Sequence, residues 1–147
     1  MTVLNQIVAM KVLTIPIATW FVAQALKTII YSLRERRISL RYIFSSGGMP
    51  SAHAALVCAL ATAAGIVYGI DSGLFAISAI LAAIVMYDAT SVRQAVDHQS
   101  TILSHLLISF PKTQLEFEHR LEQLVGHTRF QVIIGAVLGI LLALWWV

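Results

Sequence analysis

Apolar residues gather into four long stretches, at about residues 12–33, 51–70, 74–92 and 130–147. Each is close to the roughly 20 helical residues needed to cross a hydrocarbon core of about 30 Å. Between the second and third stretches, Tyr68-Gly69-Ile70-Asp71-Ser72-Gly73 is long enough only to reverse the chain. Between the third and fourth, residues 93–129 are mixed, with a break at Phe110-Pro111 and an acidic segment at 114–123. There Leu115, Leu121, Leu124 and Val125 stand among charges, a pattern that predicts an amphipathic helix lying at the membrane surface. Residues 1–11 precede the first stretch without a small-residue cleavage pattern, so that stretch reads as a retained span rather than a signal peptide. The pattern predicts an all-α integral membrane helix bundle with about four transmembrane helices and an amphipathic interfacial helix.

Composition agrees with the pattern and removes alternatives. The chain is 59% hydrophobic and 12% charged, with a mean hydropathy of +0.83, far from the balance of a soluble domain. Its 147 residues hold no Ser/Gly/Pro linker, low-complexity tract or internal repeat, which points to a single domain over 1–147. A net charge of +3 on so oily a chain suits anionic lipid headgroups better than nucleic acid, which is not expected as a partner. A single cysteine, Cys58, lies in an apolar run and reads as a buried packing residue, with no disulfide framework or thiolate metal site.

The few polar residues inside or beside the spans are distributed unevenly. If the spans alternate in direction, one membrane face collects Lys27, Ser51 with His53, Asp88 with Arg93, and His127 with Gln131. The other face has Lys11 and Asp71. Each residue has an ordinary explanation. Lys27 can snorkel its amine to the interface, Pro50 and Ser51 can start a helix, Asp88 and Arg93 can pair, and His53 and His127 can be interfacial or loop residues. That residues so costly in hydrocarbon converge on one face favours a functional site.

The chemistry open to that face is anion chemistry. A helix start preceded by Gly47-Gly48, together with two cations, suits phosphate. One histidine can then attack phosphorus while the other protonates the leaving oxygen. Asp88, Asp97 and the more distant glutamates form neither a paired His-x-x-x-His nor an acidic cluster, so neither a metal nor another cofactor is expected.

These residues carry a resemblance. Pro50-Ser51-Ala52-His53 and Gly126-His127-Thr128 resemble the second and third motifs of the type 2 phosphatidic acid phosphatase superfamily. GGMPSAHAA at 47–55, Met86-Tyr87-Asp88-Ala89-Thr90-Ser91-Val92-Arg93, and the third motif with its Gly-Ala-x-x-Gly tail ending at Gly139 resemble a small divergent branch related to acid phosphatase and vanadium-dependent haloperoxidase. The similarity runs from Ala23, Gln24 and Lys27 to Gly139. It implies that His127 is a nucleophile forming a phosphohistidine and that His53 protonates the departing alcohol. Lys27, Arg93, Ser51 and the backbone around Gly48 would hold phosphate oxygens. The chain departs from the wider superfamily at three places: Ala52 replaces a glycine, no Ser-Arg pair precedes His127, and Gln131 stands where an aspartate is expected. Arg93 then becomes the candidate phosphate arginine. Gln131 can orient an imidazole but supplies no charge, a role that Asp88 is placed to take.

Charge distribution sets an expected orientation. Of ten Lys and Arg, Arg34, Arg36, Arg37, Arg41, Arg93, Lys112, Arg120 and Arg129 flank the motif-bearing face, Lys27 points the same way and only Lys11 is opposed. The positive-inside rule makes that face cytoplasmic, in a bacterial inner membrane or an organelle membrane. A cytoplasmic site suits a phosphomonoester lipid such as phosphatidylglycerophosphate. The alternatives are a polyprenyl diphosphate phosphatase and a catalytically silent lipid-phosphate binding protein. Gly135 and Gly139, spaced Gly-x-x-x-Gly, suit either a homodimer contact or packing inside the bundle.

Overall fold

The computed structural model describes residues 10–36, 48–91, 99, 102 and 128–147. Among them are four helices and no strand: α1 Lys11–Glu35, α2 Ala52–Tyr68, α3 Gly73–Thr90 and α4 Arg129–Trp146. The four apolar stretches are therefore helices within two residues of their expected ends. The predicted interfacial helix, Arg93 and His127 lie outside the described residues.

Helices α1, α3 and α4 are long and apolar enough to cross a membrane, whereas α2 is a shorter apolar helix of 17 residues. At about 1.5 Å per residue it rises about 25 Å, less than the hydrocarbon thickness. Its surroundings account for this. α2 packs most extensively on α4 and α1 and then on α3, so much of its surface meets protein rather than lipid. Ala52, Ala54, Ala55, Val57, Cys58, Ala59, Ala63 and Ala64 are all buried.

Small residues set the packing. A Cβ on Gly135 would run into the Ser51 carbonyl oxygen, and one on Gly139 into that of Ala55. Ala143 continues the stripe and packs with Ala59 and Ile15. Positions 135, 139 and 143 thus meet 51, 55 and 59 in the same order, which makes α4 and α2 parallel neighbours with backbones in close approach. The Gly-x-x-x-Gly spacing is used inside the chain. α1 runs the other way, with Ala23 against Ala52 and Ala55 near one end and Lys11 Nζ donating 2.6 Å to the Val147 carbonyl at the other. α3 is likewise antiparallel to α2: Ala89 packs with Ala54 and Val132, Cys58 Sγ lies 3.7 Å from Met86 Sδ, and the Phe75 ring abuts Gly65.

Three helix starts use the same cap. Ser51, Ser72 and Thr128 each accept a hydrogen bond from the backbone N–H three residues on, at Ala54, Phe75 and Gln131. Outward, Phe21, Ile29, Leu33, Ile77, Ile84 and Leu141 are exposed, the apolar surface that a bilayer covers.

The close approach of α2 and α4 generates a stability prediction. Gly139→Ala forces the two backbones apart and should cost about 1–3 kcal/mol, read as a lowered thermal midpoint of the detergent-solubilised protein. Val137→Ala, on the lipid-facing side of the same helix, should leave that midpoint nearly unchanged. Equal effects of the two substitutions would remove the backbone contact as the determinant of packing.

Candidate functional site

Because α2 and α4 are parallel, their N-termini lie at the same end of the bundle, where α1 and α3 finish. A backbone hydrogen bond joins the two starts: the Ser51 N–H donates to the Gln131 carbonyl at 3.2 Å. Ser51 is fully buried, and its Oγ accepts from the Ala54 N–H at 3.4 Å. A hydroxyl that accepts at a cap still has its own proton to donate. The first turn of any helix also leaves backbone N–H groups without carbonyl partners in that helix, with the positive end of the helix dipole behind them. Two such ends here face the same side.

The start of α4 is closed by a capping box. The Gln131 N–H donates to Thr128 Oγ1 at 3.3 Å, and the Thr128 N–H donates to Gln131 Oε1 at 3.0 Å. The Gln131 side chain therefore holds the backbone at the residue that follows His127. The Thr-x-x-Gln spacing that announces such a box is legible in the sequence, although attention to the missing aspartate passes over it.

Lys27 lies one turn beyond Ala23, which packs on Ala52 and Ala55, so it stands at the level of Ser51. Its exposure is only 1%. A snorkelling lysine shows its amine to water, and Lys27 does not. Burying an ammonium in a membrane protein is costly enough that an intramembrane lysine marks a site by default.

Gly48 has φ +93°, in the region that favours glycine, and a Cβ there would fall 2.9 Å from Tyr31 Cε2 and 3.1 Å from the Tyr31 hydroxyl oxygen. The ring of Tyr31, one turn beyond Lys27 on α1, packs directly on the loop that leads into Ser51. Tyr31 went unnoticed in the sequence, where its four-residue spacing from Lys27 is the available signal.

Asp88 is half-buried in the last turn of α3, next to Ala89, whose contacts with Ala54 and Val132 place it at the same end. His53 is the second residue of α2 and is exposed among the described residues. Lys27, Gly48, Ser51, His53, Asp88 and Gln131 are thus collected at one end of the bundle. Arg93 and His127, outside the described residues, are tied to it by sequence alone, three residues after Thr90 and directly before Thr128.

Comparison with known proteins follows the same residues. A family described as the divergent PAP2 family matches residues 8–142, a span that contains every candidate position. The uncharacterized membrane protein YuiD of Bacillus subtilis (strain 168) is 40% identical over 133 residues, covering 83% of this chain and 84% of YuiD. No solved structure matches the chain. With most of its length matched and its apolar helices packed as a bundle, this integral membrane protein belongs to the divergent PAP2 family.

Proposed function

We propose that the chain is a metal-independent lipid phosphate phosphatase acting on a phosphomonoester lipid. The observation that carries this reading is the Ser51–Gln131 backbone bond, which brings the N-termini of α2 and α4 together beside the buried Lys27. Backbone donors, two helix dipoles and an ammonium at one place favour a dianionic phosphate over a neutral headgroup.

In this mechanism the phosphate sits between Lys27, the Ser51 hydroxyl and the backbone near Gly48, with Arg93 as a further clamp. His127 attacks phosphorus as the bond to the lipid oxygen breaks, and His53 delivers a proton to that oxygen. Water then attacks the phosphohistidine, releasing inorganic phosphate and restoring His127, while His53 takes up the proton that water loses. The capping box supports the nucleophile from behind, because Gln131 Oε1 fixes the Thr128 N–H and hence the peptide joining His127 to α4. Asp88 supplies the negative charge that stabilises the positive charge the His127 ring acquires as its nitrogen bonds to phosphorus. The site faces the cytoplasm by the distribution of Lys and Arg.

A second reading, a silent lipid-phosphate binding protein, takes support from Gln131, whose side-chain oxygen serves the cap where the wider superfamily places a carboxylate. Turnover decides between them.

On the phosphatase reading, purified protein releases inorganic phosphate from a phosphomonoester lipid, and His127→Ala lowers kcat by about a thousandfold or more while the fold persists. Wild-type protein that binds the lipid without releasing phosphate establishes the silent reading.

Substitutions at the two orienting positions should separate in kind. Asp88→Asn is expected to lower kcat roughly a hundredfold, about 3 kcal/mol of transition-state stabilisation, with little change in melting. Gln131→Ala should cost about 1 kcal/mol of stability through the lost cap, whereas Gln131→Glu, with the same reach, should melt close to wild type. A large fall in kcat with normal melting for Gln131→Ala would move the orienting role to the glutamine.

Orientation is read by thiol labelling in a Cys58→Ala background. Arg36→Cys should be shielded from an impermeant reagent in intact cells, and Asp71→Cys, in the exposed turn at the other end, should react. The reverse pattern would place the site on the outer leaflet and favour the polyprenyl diphosphate substrate.

A further inference from the structure

We propose that Tyr31 is a positioning residue for phosphate: its ring, packed on Gly48, fixes the loop into α2 against α1 and so keeps Lys27 in register with the Ser51 end of the site. The inference rests on reading that end as a phosphate site, and it holds whether or not the bound phosphate is then hydrolysed.

Two of the three helices that build the site are tied together without α1. The Ser51 N–H donates to the Gln131 carbonyl, and Gly135 lets the α4 backbone approach that of Ser51. Neither contact sets where Lys27 stands, because Lys27 belongs to α1. Three contacts place α1 on the other helices: Lys11 with Val147, Ile15 with Ala59 and Ala143, and Ala23 with Ala52 and Ala55. All three lie before Lys27 along the helix. Ala23 brings only a methyl group, and a small rotation of α1 about it carries Lys27, about 6 Å further along the axis, toward or away from Ser51. Tyr31 adds a contact on the far side, four residues after Lys27 and eight after Ala23, on the same face of the helix. Lys27 is thereby supported from both directions along α1.

The nature of that contact suits it to positioning. A Cβ on Gly48 would lie 2.9 Å from Tyr31 Cε2, 3.2 Å from Cζ and 3.1 Å from the hydroxyl oxygen, so one edge of the ring lies against the Gly48 backbone itself. A contact with backbone fixes the chain, whereas one with a flexible side chain fixes only that side chain. Tyrosine is also stiff, with two side-chain torsions and a planar ring, so it transmits a position at little entropic cost. Gly48 is three residues before Ser51, whose hydroxyl caps α2 and whose side chain is fully buried. The ring therefore ties the chain that enters the cap to the helix that carries the lysine. An ammonium and a helix N-terminus bind one phosphate tightly only when both reach it at once, and that is a question of their separation.

Affinity is measured on the purified full chain in detergent, in a His127→Ala background so that nothing is turned over. Dihexanoyl phosphatidic acid, a water-soluble phosphomonoester lipid, and inorganic phosphate are titrated separately. Tyr31→Ala should weaken both by about tenfold, since the ring acts on the cradle and not on the lipid. Tyr31→Phe, which keeps the ring edge, should stay within about twofold of the background, as should Leu33→Ala, which removes an exposed apolar side chain from the same end of α1. With His127 intact, Tyr31→Ala should raise KM and leave kcat nearly unchanged, a split that general loosening of the fold does not produce. Tyr31→Val decides by the same titrations if Tyr31→Ala does not fold. Unchanged affinity in the short-side-chain variant overturns the inference and leaves the phosphatase reading to be judged on turnover. Weakening of the lipid alone also overturns it, because the ring then touches the lipid rather than placing the loop. A loss in Tyr31→Phe equal to that in Tyr31→Ala overturns the ring contact in favour of the hydroxyl. Weakening of both ligands in a chain that shows no turnover with His127 intact supports the positioning role and removes the phosphatase reading instead, whereas binding of neither ligand to the background removes the phosphate site and this inference with it.

Discussion

The approach of the α4 backbone to the α2 backbone is the constraint on which the rest of the molecule depends. In a bilayer there is little hydrophobic gain in bringing two apolar helices together, because lipid tails are as apolar as leucine, and close van der Waals contact has to supply the association. Gly135 and Gly139 allow it by removing the atoms that would strike Ser51 and Ala55. The contact is parallel, so it brings two helix N-termini to one end, and the Ser51 N–H can then reach the Gln131 carbonyl. Were α4 antiparallel to α2, a C-terminal dipole would stand at that end and the place would repel an anion. The direction of one packing contact thus sets the electrostatic sign of the site.

Around that pair, α1 contributes what the backbone cannot, a full positive charge. Its inward face runs Ile15, Thr19, Ala23 and Lys27 at steps of four, small or medium residues that let α1 lie along the other two helices until the lysine arrives at the level of Ser51. The lysine is costly to hold in hydrocarbon, and its place is defined from several sides by Ala23 on Ala52 and Ala55 and by the Tyr31 ring on Gly48. The cap of α4 works on the same end by a neutral device. Gln131 serves the backbone twice, its carbonyl receiving Ser51 and its side chain receiving Thr128. Its presence in place of a carboxylate therefore has a structural account independent of catalysis.

Much of this was legible in the sequence, for a reason that also marks the limit. Runs of apolar residues bounded by Ser72, Thr128 and Pro50-Ser51 fix where helices begin, since caps and hydropathy both act locally. They also fix which ends share a face, because successive membrane spans alternate in direction. What hydropathy does not give is direction around a helix: α2, α3 and α4 are apolar nearly all round, so no stripe announces which side meets protein. That information lies in residue size, and Gly135, Gly139, Ala55, Ala59 and Ala143 carry it. For Gly-x-x-x-Gly the sequence left two uses open, and the partner was decided only by the Ser51 and Ala55 carbonyls. Tyr31 was missed for a related reason. An aromatic residue near a helix end reads as an interfacial anchor, and its contact with Gly48 joins positions 17 apart in a chain whose local pattern says nothing of their meeting.

The geometry also orders the candidate residues by what holds each of them. Ser51 and Gln131 are held by the backbone of two packed helices, and Lys27 by burial on a third. Asp88 is held by the last turn of α3, which touches α4 only slightly and joins the bundle mainly through α2. The proposed site built this way has a cradle formed by α1, α2 and α4 and an acidic member on a helix that, among the described residues, is held mainly by α2. The cradle depends on backbone groups that no side-chain substitution removes, so the arrangement favours phosphate binding that persists through many substitutions. On the proposed mechanism, turnover would depend on the less firmly held groups, Asp88 among them. Such an arrangement can vary in its catalytic partners without losing the place where an anion would bind, and on the proposed mechanism a glutamine at position 131 with an acid supplied from α3 is a change of that kind.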